Sequence, residues 1–182
     1  MLTLLRWSTL LACGGLRLGC TPDPPAPLTP AGYERASSEY AVLAQKALAY
    51  QADFDTLAWA ELLAERVTWQ TPDAAPARLA RHRLVGAWNG WRQAHGVRRL
   101  HLHGFTNLAL LAYQPLALSG RRGVHVLTYC TATAELTDGR RAARRLSLCC
   151  HFDAAKRIDG LWLYSAPPTP EARGFPDQPG VP

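Results

Sequence analysis

From Ser38 onward, apolar and polar positions alternate with a helical period. Tyr40, Leu43, Ala44, Ala47 and Leu48 fall on one stripe, which predicts an amphipathic helix. Asp53-Phe54-Asp55 breaks the stripe, and Leu57, Trp59, Leu62 and Leu63 predict a second, short helix. Val67-Thr68-Trp69 reads as a short strand stopped by Thr71-Pro72-Asp73. A third helix is expected from about Leu79 to Gln93, with Leu84, Ala87, Trp88 and Trp91 on one side and Asn89-Gly90 as its weak point. Past His95-Gly96 the period changes to two. The alternation predicts strands over 98–113, 123–136, 146–152 and 158–165. Helices followed by a run of antiparallel strands define an α+β chain.

Turn chemistry extends this to a register. Asp138-Gly139 is a strong hairpin signal. Taken as a two-residue loop, it sets Thr137 opposite Arg140. Leu127, Tyr129, Leu146, Leu148, Cys150 and Phe152 then share one face. Carrying the register through a loop at 153–157 adds Ile158, Trp162 and Tyr164 to that bulky side, which the three helices would cover. The opposite face is expected to hold Thr128, Cys130, Ser147, Cys149, His151, Asp159 and Leu161. There His151 lies across from Asp159, as an oriented general base or as an ordinary cross-strand charge pair. Cys130 and Cys149 would be diagonal neighbours on this face, either as buried thiols or as a disulfide in an exported protein.

Composition marks the edges of the folded body. Of the 14 prolines, only Pro72, Pro76 and Pro115 lie between residues 33 and 166; the rest crowd residues 22–30 and 167–182. Such segments favour extended, solvated chain. The expected organisation is a targeting segment at 1–20, a Pro-rich tether at 21–32, one domain at 33–166 and a Pro-rich disordered tail at 167–182. With 48% apolar residues and six tryptophans, the chain is not wholly disordered. All but Lys46 and Lys156 of the 20 basic residues are arginine, and Arg pairs recur at 98–99, 121–122, 140–141 and 144–145. No groove-reading motif accompanies them, so they read as solvated charge rather than a nucleic-acid surface. No CxxC occurs, and His101-x-His103 lacks a third ligand motif, so no metal or other cofactor is expected.

The N-terminus carries Arg6 and then an apolar stretch. Leu10-Leu11-Ala12-Cys13 resembles a bacterial lipobox, with Leu18-Gly19-Cys20 as the rival site. Lipidation at Cys13 or Cys20 would tie the chain to the cell envelope through the tether, and a cytoplasmic protein is the alternative.

Several local phrases then fall into a known order. Asp53-Phe54-Asp55-Thr56-Leu57, Trp69-Gln70-Thr71-Pro72-Asp73, Leu84-Val85-Gly86-Ala87-Trp88, Gly123-Val124-His125-Val126 with Asp138-Gly139-Arg140, and His151-Phe152-Asp153 with Lys156-Arg157-Ile158-Asp159 follow one another over residues 38–166. In this order the chain resembles the nuclear-transport-factor-2-like superfamily, and its SnoaL-like branch in particular. The resemblance implies a strongly curved, mostly antiparallel sheet, a cone-shaped barrel around a helix with a cavity open at one end. Members include isomerases, cyclases and dehydratases as well as non-catalytic binders and dimerisation modules, and fold alone does not select among them. Asp73 is the acid nearest the family's cavity mouth, but its alignment carries no catalytic role over.

The functional expectation is a small, largely apolar molecule bound in the cone, with Trp69, Trp88, Tyr129, Trp162 and Tyr164 as lining. An enzyme would use His101, His103 or the His151–Asp159 pair for proton transfer, with Tyr129 donating to an oxyanion. A non-catalytic homodimer through the outer sheet face is the third reading. A cavity plugged by tryptophans would favour that last one.

Overall fold

The computed structural model describes residues 32–72, 74–165, 175 and 176. In chain order the elements are β1 (Tyr33–Arg35), α1 (Ser38–Asp53), α2 (Thr56–Leu62), β2 (Leu63–Gln70), β3 (Ala77–Ala80), α3 (Arg81–Ala94), β4 (Val97–Ala112), β5 (Gly123–Leu136), β6 (Arg141–Phe152) and β7 (Ile158–Ser165). The targeting segment, the tether up to residue 31, both lipidation candidates and Asp73 lie outside the described residues.

Local chemistry explains the helix boundaries. Ser37 caps α1, its hydroxyl accepting from the Glu39 N–H at 3.3 Å, and Asp55 caps α2 through the Ala58 N–H at 3.0 Å. Between them Phe54 takes the left-handed conformation that ends α1. A bulky residue sits there because its ring stacks on Trp88 and lies under the Arg92 guanidinium, 4.2 Å away. The expected apolar stripe of α1 is the one that is buried: Ala44, Ala47 and Leu48, continued by Gln51 and Ala52.

The seven strands form one mixed sheet in the order β1-β4-β5-β6-β7-β2-β3. It is α+β, as the pattern of periods implies. β2 runs parallel to β7, while the other pairings are antiparallel. The sheet is not closed into a barrel, since β1 and β3 remain as edges. Both edge strands are too short for sequence periodicity to reveal. The helices lie against one sheet face and complete a core that includes Trp59, Trp69, Trp88, Trp91, Val126, Leu148 and Leu163. Trp88 stacks on Trp91 at 4.6 Å between centroids and meets Trp59 edge-on at 6.2 Å. Each such aromatic pair adds about 0.5–1.5 kcal/mol beyond area burial.

Register is where the structure corrects the sequence. The Asp138-Gly139 hairpin has a three-residue loop: Leu136 N–H donates to the Arg140 carbonyl at 2.9 Å, and Gly139 supplies a φ of 87°. The pairing therefore slips by one residue, with Thr128 opposite Leu148 and Tyr129 opposite Ser147. A slip of one turns alternate side chains over. Thr128 and Cys130 point inward with Leu146 and Leu148, whereas Leu127 and Tyr129 point outward. A second irregularity lies between β6 and β7. Phe152 pairs with Ile158, but His151 pairs with Gly160 and Cys149 with Trp162. The bulge sends Leu161 and Leu163 inward and Trp162 and Tyr164 outward. Gly160 makes room for Trp162 there, because a Cβ at that position would sit 2.3 Å from the indole ring.

Candidate functional site

Two sites lie back to back on this sheet. Inside the cone, a cavity is lined by Leu48, Gln51, Trp69, Trp88, Leu148 and Phe175, among other apolar side chains. Its free volume is about 20 Å³, room for little more than one water. Phe175 enters from beyond the last strand and is 8% exposed, a member of the core cluster. Trp88 is held in this lining by donating its Nε1–H to the Gln51 carbonyl at 2.9 Å. Gln51 is the polar exception in the lining. It is 7% exposed. Arg144 pairs with Ala132 on the same sheet face, beside Leu146, and its Nε is buried without a partner among the described residues. Among the described residues, no carboxylate, histidine, tyrosine or cysteine lines this cavity.

The opposite face is covered by the connection between β4 and β5, residues 113–122. Tyr164 Oη donates to the Leu118 carbonyl at 2.5 Å, and His151 Nε2 meets the Arg122 carbonyl at 2.8 Å. Arg121 reaches Asp159 Oδ2 at 2.9 Å and Thr68 Oγ1 at 2.8 Å, with its guanidinium over Trp162. Ser119 Oγ lies 2.7 Å from His125 Nε2. These tethers bury groups that would otherwise face water: His125 is 0% exposed and Trp162 only 3%. Burial pushes the His125 pKa down to about 4. Burial alone would raise the Asp159 carboxyl, but the hydrogen bond and charge of His151 and the Arg121 guanidinium outweigh it, so its pKa is lowered. An open pocket of about 420 Å³ lies under the connection, lined by Thr68, Gln70, Ser119, Arg121, Trp162 and Tyr164 among others.

The residues singled out from sequence divide between these places. Trp69 and Trp88 line the cone. Tyr129 does not: it is 54% exposed on the outer face, because of the one-residue slip. Trp162 and Tyr164 also leave the cone, carried outward by the bulge near Asp159. His101 and His103 are exposed on the outer face of β4, opposite Thr133 and Thr131. His151 and Asp159 do meet, Nδ1 to Oδ1, although the backbone partner of His151 is Gly160. Cys130 and Cys149 fall on opposite faces, so no disulfide joins them, and both are free thiols with Cys150. Burial raises the pKa of Cys130 to about 11 and of Cys149 to about 12. Among the described residues, no three His, Cys, Asp or Glu gather as a metal-binding group.

Gln51, Ser119 and Phe175 are not singled out by the sequence. His125 enters only within a family phrase, and Arg121 and Arg144 only within pairs read as solvated charge, whereas Arg121 is paired with Asp159. Gln51 left a signal, a polar residue one turn further along an apolar stripe. Ser119 and Arg121 left none, since their segment has no period.

A curved mixed sheet with three helices packed inside it defines the nuclear-transport-factor-2-like class, and this chain has that fold. Comparison with solved structures bears this out. AusH from Aspergillus nidulans aligns with a TM-score of 0.55 at 11% identity, over 78% of this chain and 92% of its own. A putative polyketide cyclase from Xanthomonas campestris pv. campestris gives 0.55 at 13%, over 71% and 91%. A Δ5-3-ketosteroid isomerase from Mycobacterium sp. gives 0.50 at 17%, over 70% and 92%. The likeness is one of fold. No family model matches the sequence, and no curated protein matches it either.

Proposed function

We propose that the domain binds a small, largely apolar molecule in the cone and performs no acid–base chemistry there. The Gln51 side chain, a polar group among apolar residues lining the cavity, carries this reading. An amide both donates and accepts, so it would orient a ligand oxygen or nitrogen against the carbon wall. The neighbouring folds include one described as a putative polyketide cyclase and one described as a ketosteroid isomerase, which supports a mostly apolar guest.

Phe175 stands where such a guest would sit. Removing a phenyl ring from an apolar cavity leaves room of the order that takes a benzene-sized molecule, about 150 Å³. The ligand would therefore take the place of the Phe175 ring against Trp69 and Trp88. Titration with 1-naphthoic acid and with naphthalene, followed by tryptophan emission, tests this. Phe175→Ala should bind the acid at least about tenfold more tightly than the unaltered chain, and Gln51→Leu should weaken it. If neither compound changes the emission of either protein at millimolar concentration, the reading fails.

The anchoring of the chain rests on Leu10-Leu11-Ala12-Cys13 and the proline-rich segment after it. We propose attachment to a bacterial envelope through Cys13 or Cys20. Mass spectrometry of the native N-terminus tests it: a diacylglyceryl cysteine supports the anchor, and an unmodified Met1 removes it.

A further inference from the structure

On the outer face, the connection between β4 and β5 places a hydroxyl directly over an imidazole. Ser119 Oγ is 2.7 Å from His125 Nε2, and His125 Nδ1 is 3.1 Å from the Gly123 carbonyl. A carbonyl only accepts, so Nδ1 keeps its proton and Nε2 presents its lone pair to the hydroxyl. Ser119 therefore donates to His125. Burial keeps the imidazole neutral, with a pKa lowered to about 4, so the acceptor form is present throughout the neutral range. Nucleophile, base and orienting acceptor stand in the order that activates a serine.

The surroundings suit a substrate. Ser119 lines the open pocket of about 420 Å³, together with Arg121, Trp162 and Tyr164. Arg121 is held by Asp159 and Thr68, which engage three of its contacts. A guanidinium has five N–H groups, so donors remain for a developing negative charge. Trp162 and Tyr164 supply apolar wall. The cone offers none of this chemistry.

We propose that this pocket is an acyl-transfer site with Ser119 as nucleophile and His125 as general base, acting on small activated esters. Ser119 Oγ adds to the ester carbonyl carbon while its proton passes to His125 Nε2. The tetrahedral oxyanion forms beside Arg121. Its collapse breaks the bond to the leaving oxygen, which departs as the alcohol with the proton from His125. Water then adds to the acyl-serine, giving its proton to His125, and the carboxylic acid leaves as the Ser119 hydroxyl is restored. Water is the only co-reactant, and nothing is oxidised or reduced. An activated ester with a good leaving group acylates faster than water deacylates, so acyl-enzyme accumulates.

The test uses the full chain, a fluorophosphonate probe and p-nitrophenyl acetate, read by intact-mass and peptide mass spectrometry and by nitrophenolate release. The expected result is one adduct per chain on Ser119 and a nitrophenolate burst of matching size. Ser119→Ala should abolish both while leaving naphthoic acid binding in the cone unchanged, so this site and the cone can fail separately. His125→Gln should slow labelling about a hundredfold, the lower end of general-base effects. Ser119 lies on a partly exposed connection, so its variant tests the idea even if His125→Gln unfolds. No adduct, or an adduct that survives Ser119→Ala, overturns the proposal.

Discussion

The two faces of β5, β6 and β7 are made by alternate residues of the same strands, yet they are buried by different means. Inward, Leu146, Leu148, Cys150 and Phe152 meet helix side chains and other carbon. Outward, Cys149, His151 and Trp162 are buried beneath a single connection held down by hydrogen bonds and one ion pair. The inner face depends on volume, because a close-packed interior penalises every missing methylene. The outer face depends on satisfied polar groups, because a buried imidazole or carboxylate is tolerable only with its partners in place. One sheet thus separates a packed, apolar compartment from a polar one that is closed conditionally.

The comparison can be broken from either side. The largest effect is expected inside. Trp88→Ala removes a side chain that is 3% exposed and stacked on Trp91, and should cost about 3–5 kcal/mol in urea unfolding. A loss under about 1 kcal/mol would mean the cone is not packed as described.

Next comes protonation on the outer face. The folded pKa of His125, about 4, lies below its unfolded value near 6.5, so the unfolded chain binds the proton first. The stability this burial contributes is therefore complete above about pH 6.5 and is lost as pH falls toward 4. The loss is up to about 3 kcal/mol, at about 1.4 kcal/mol per unit. Asp159 acts in the same direction at lower pH, since a lowered carboxyl pKa supports the fold until acid protonates it. Unfolding free energies measured from pH 7.5 to 4.5 should slope downward, and His125→Gln should flatten that slope. An unchanged slope would show that the imidazole is not buried by the connection.

Gly160→Ala separates the faces more finely. Its new Cβ would meet the Trp162 ring at 2.3 Å, so the outer face must shift, at about 1–3 kcal/mol. Thermal melting should record that loss while naphthoic acid binding in the cone stays within about twofold. Loss of cone binding would show that the two compartments are coupled through the sheet.

Much of the architecture was readable along the chain. The α1 stripe, the Trp88–Trp91 helix and the four long strands follow from period alone, and β5 begins and ends where expected. The faces were not readable. Asp138-Gly139 announces a hairpin but does not say whether Thr137 belongs to the strand or to the loop, and that single residue decides where Tyr129 points. Nothing around Ile158-Asp159-Gly160 announces a bulge either, though the glycine two positions before Trp162 is its trace. The expected register of His151 against Asp159 does not hold, since the bulge sets Gly160 opposite His151, but the two side chains still meet because they reach across one residue.

Local sequence determined which segments are helix and which are strand, because propensity and period act over a few neighbours. Proline clustering predicts that the body ends at residue 166, yet Phe175, within the expected disordered tail, is a core residue. Tertiary structure alone decided which chemistry each compartment holds. Side-chain direction in a sheet inverts with every residue, so one loop residue and one bulge moved three aromatic candidates out of the cone. The same folding laid an aperiodic connection over His125 and set Phe175 into the cone, the first because that segment has no period to read and the second because its contacts are distant in the chain.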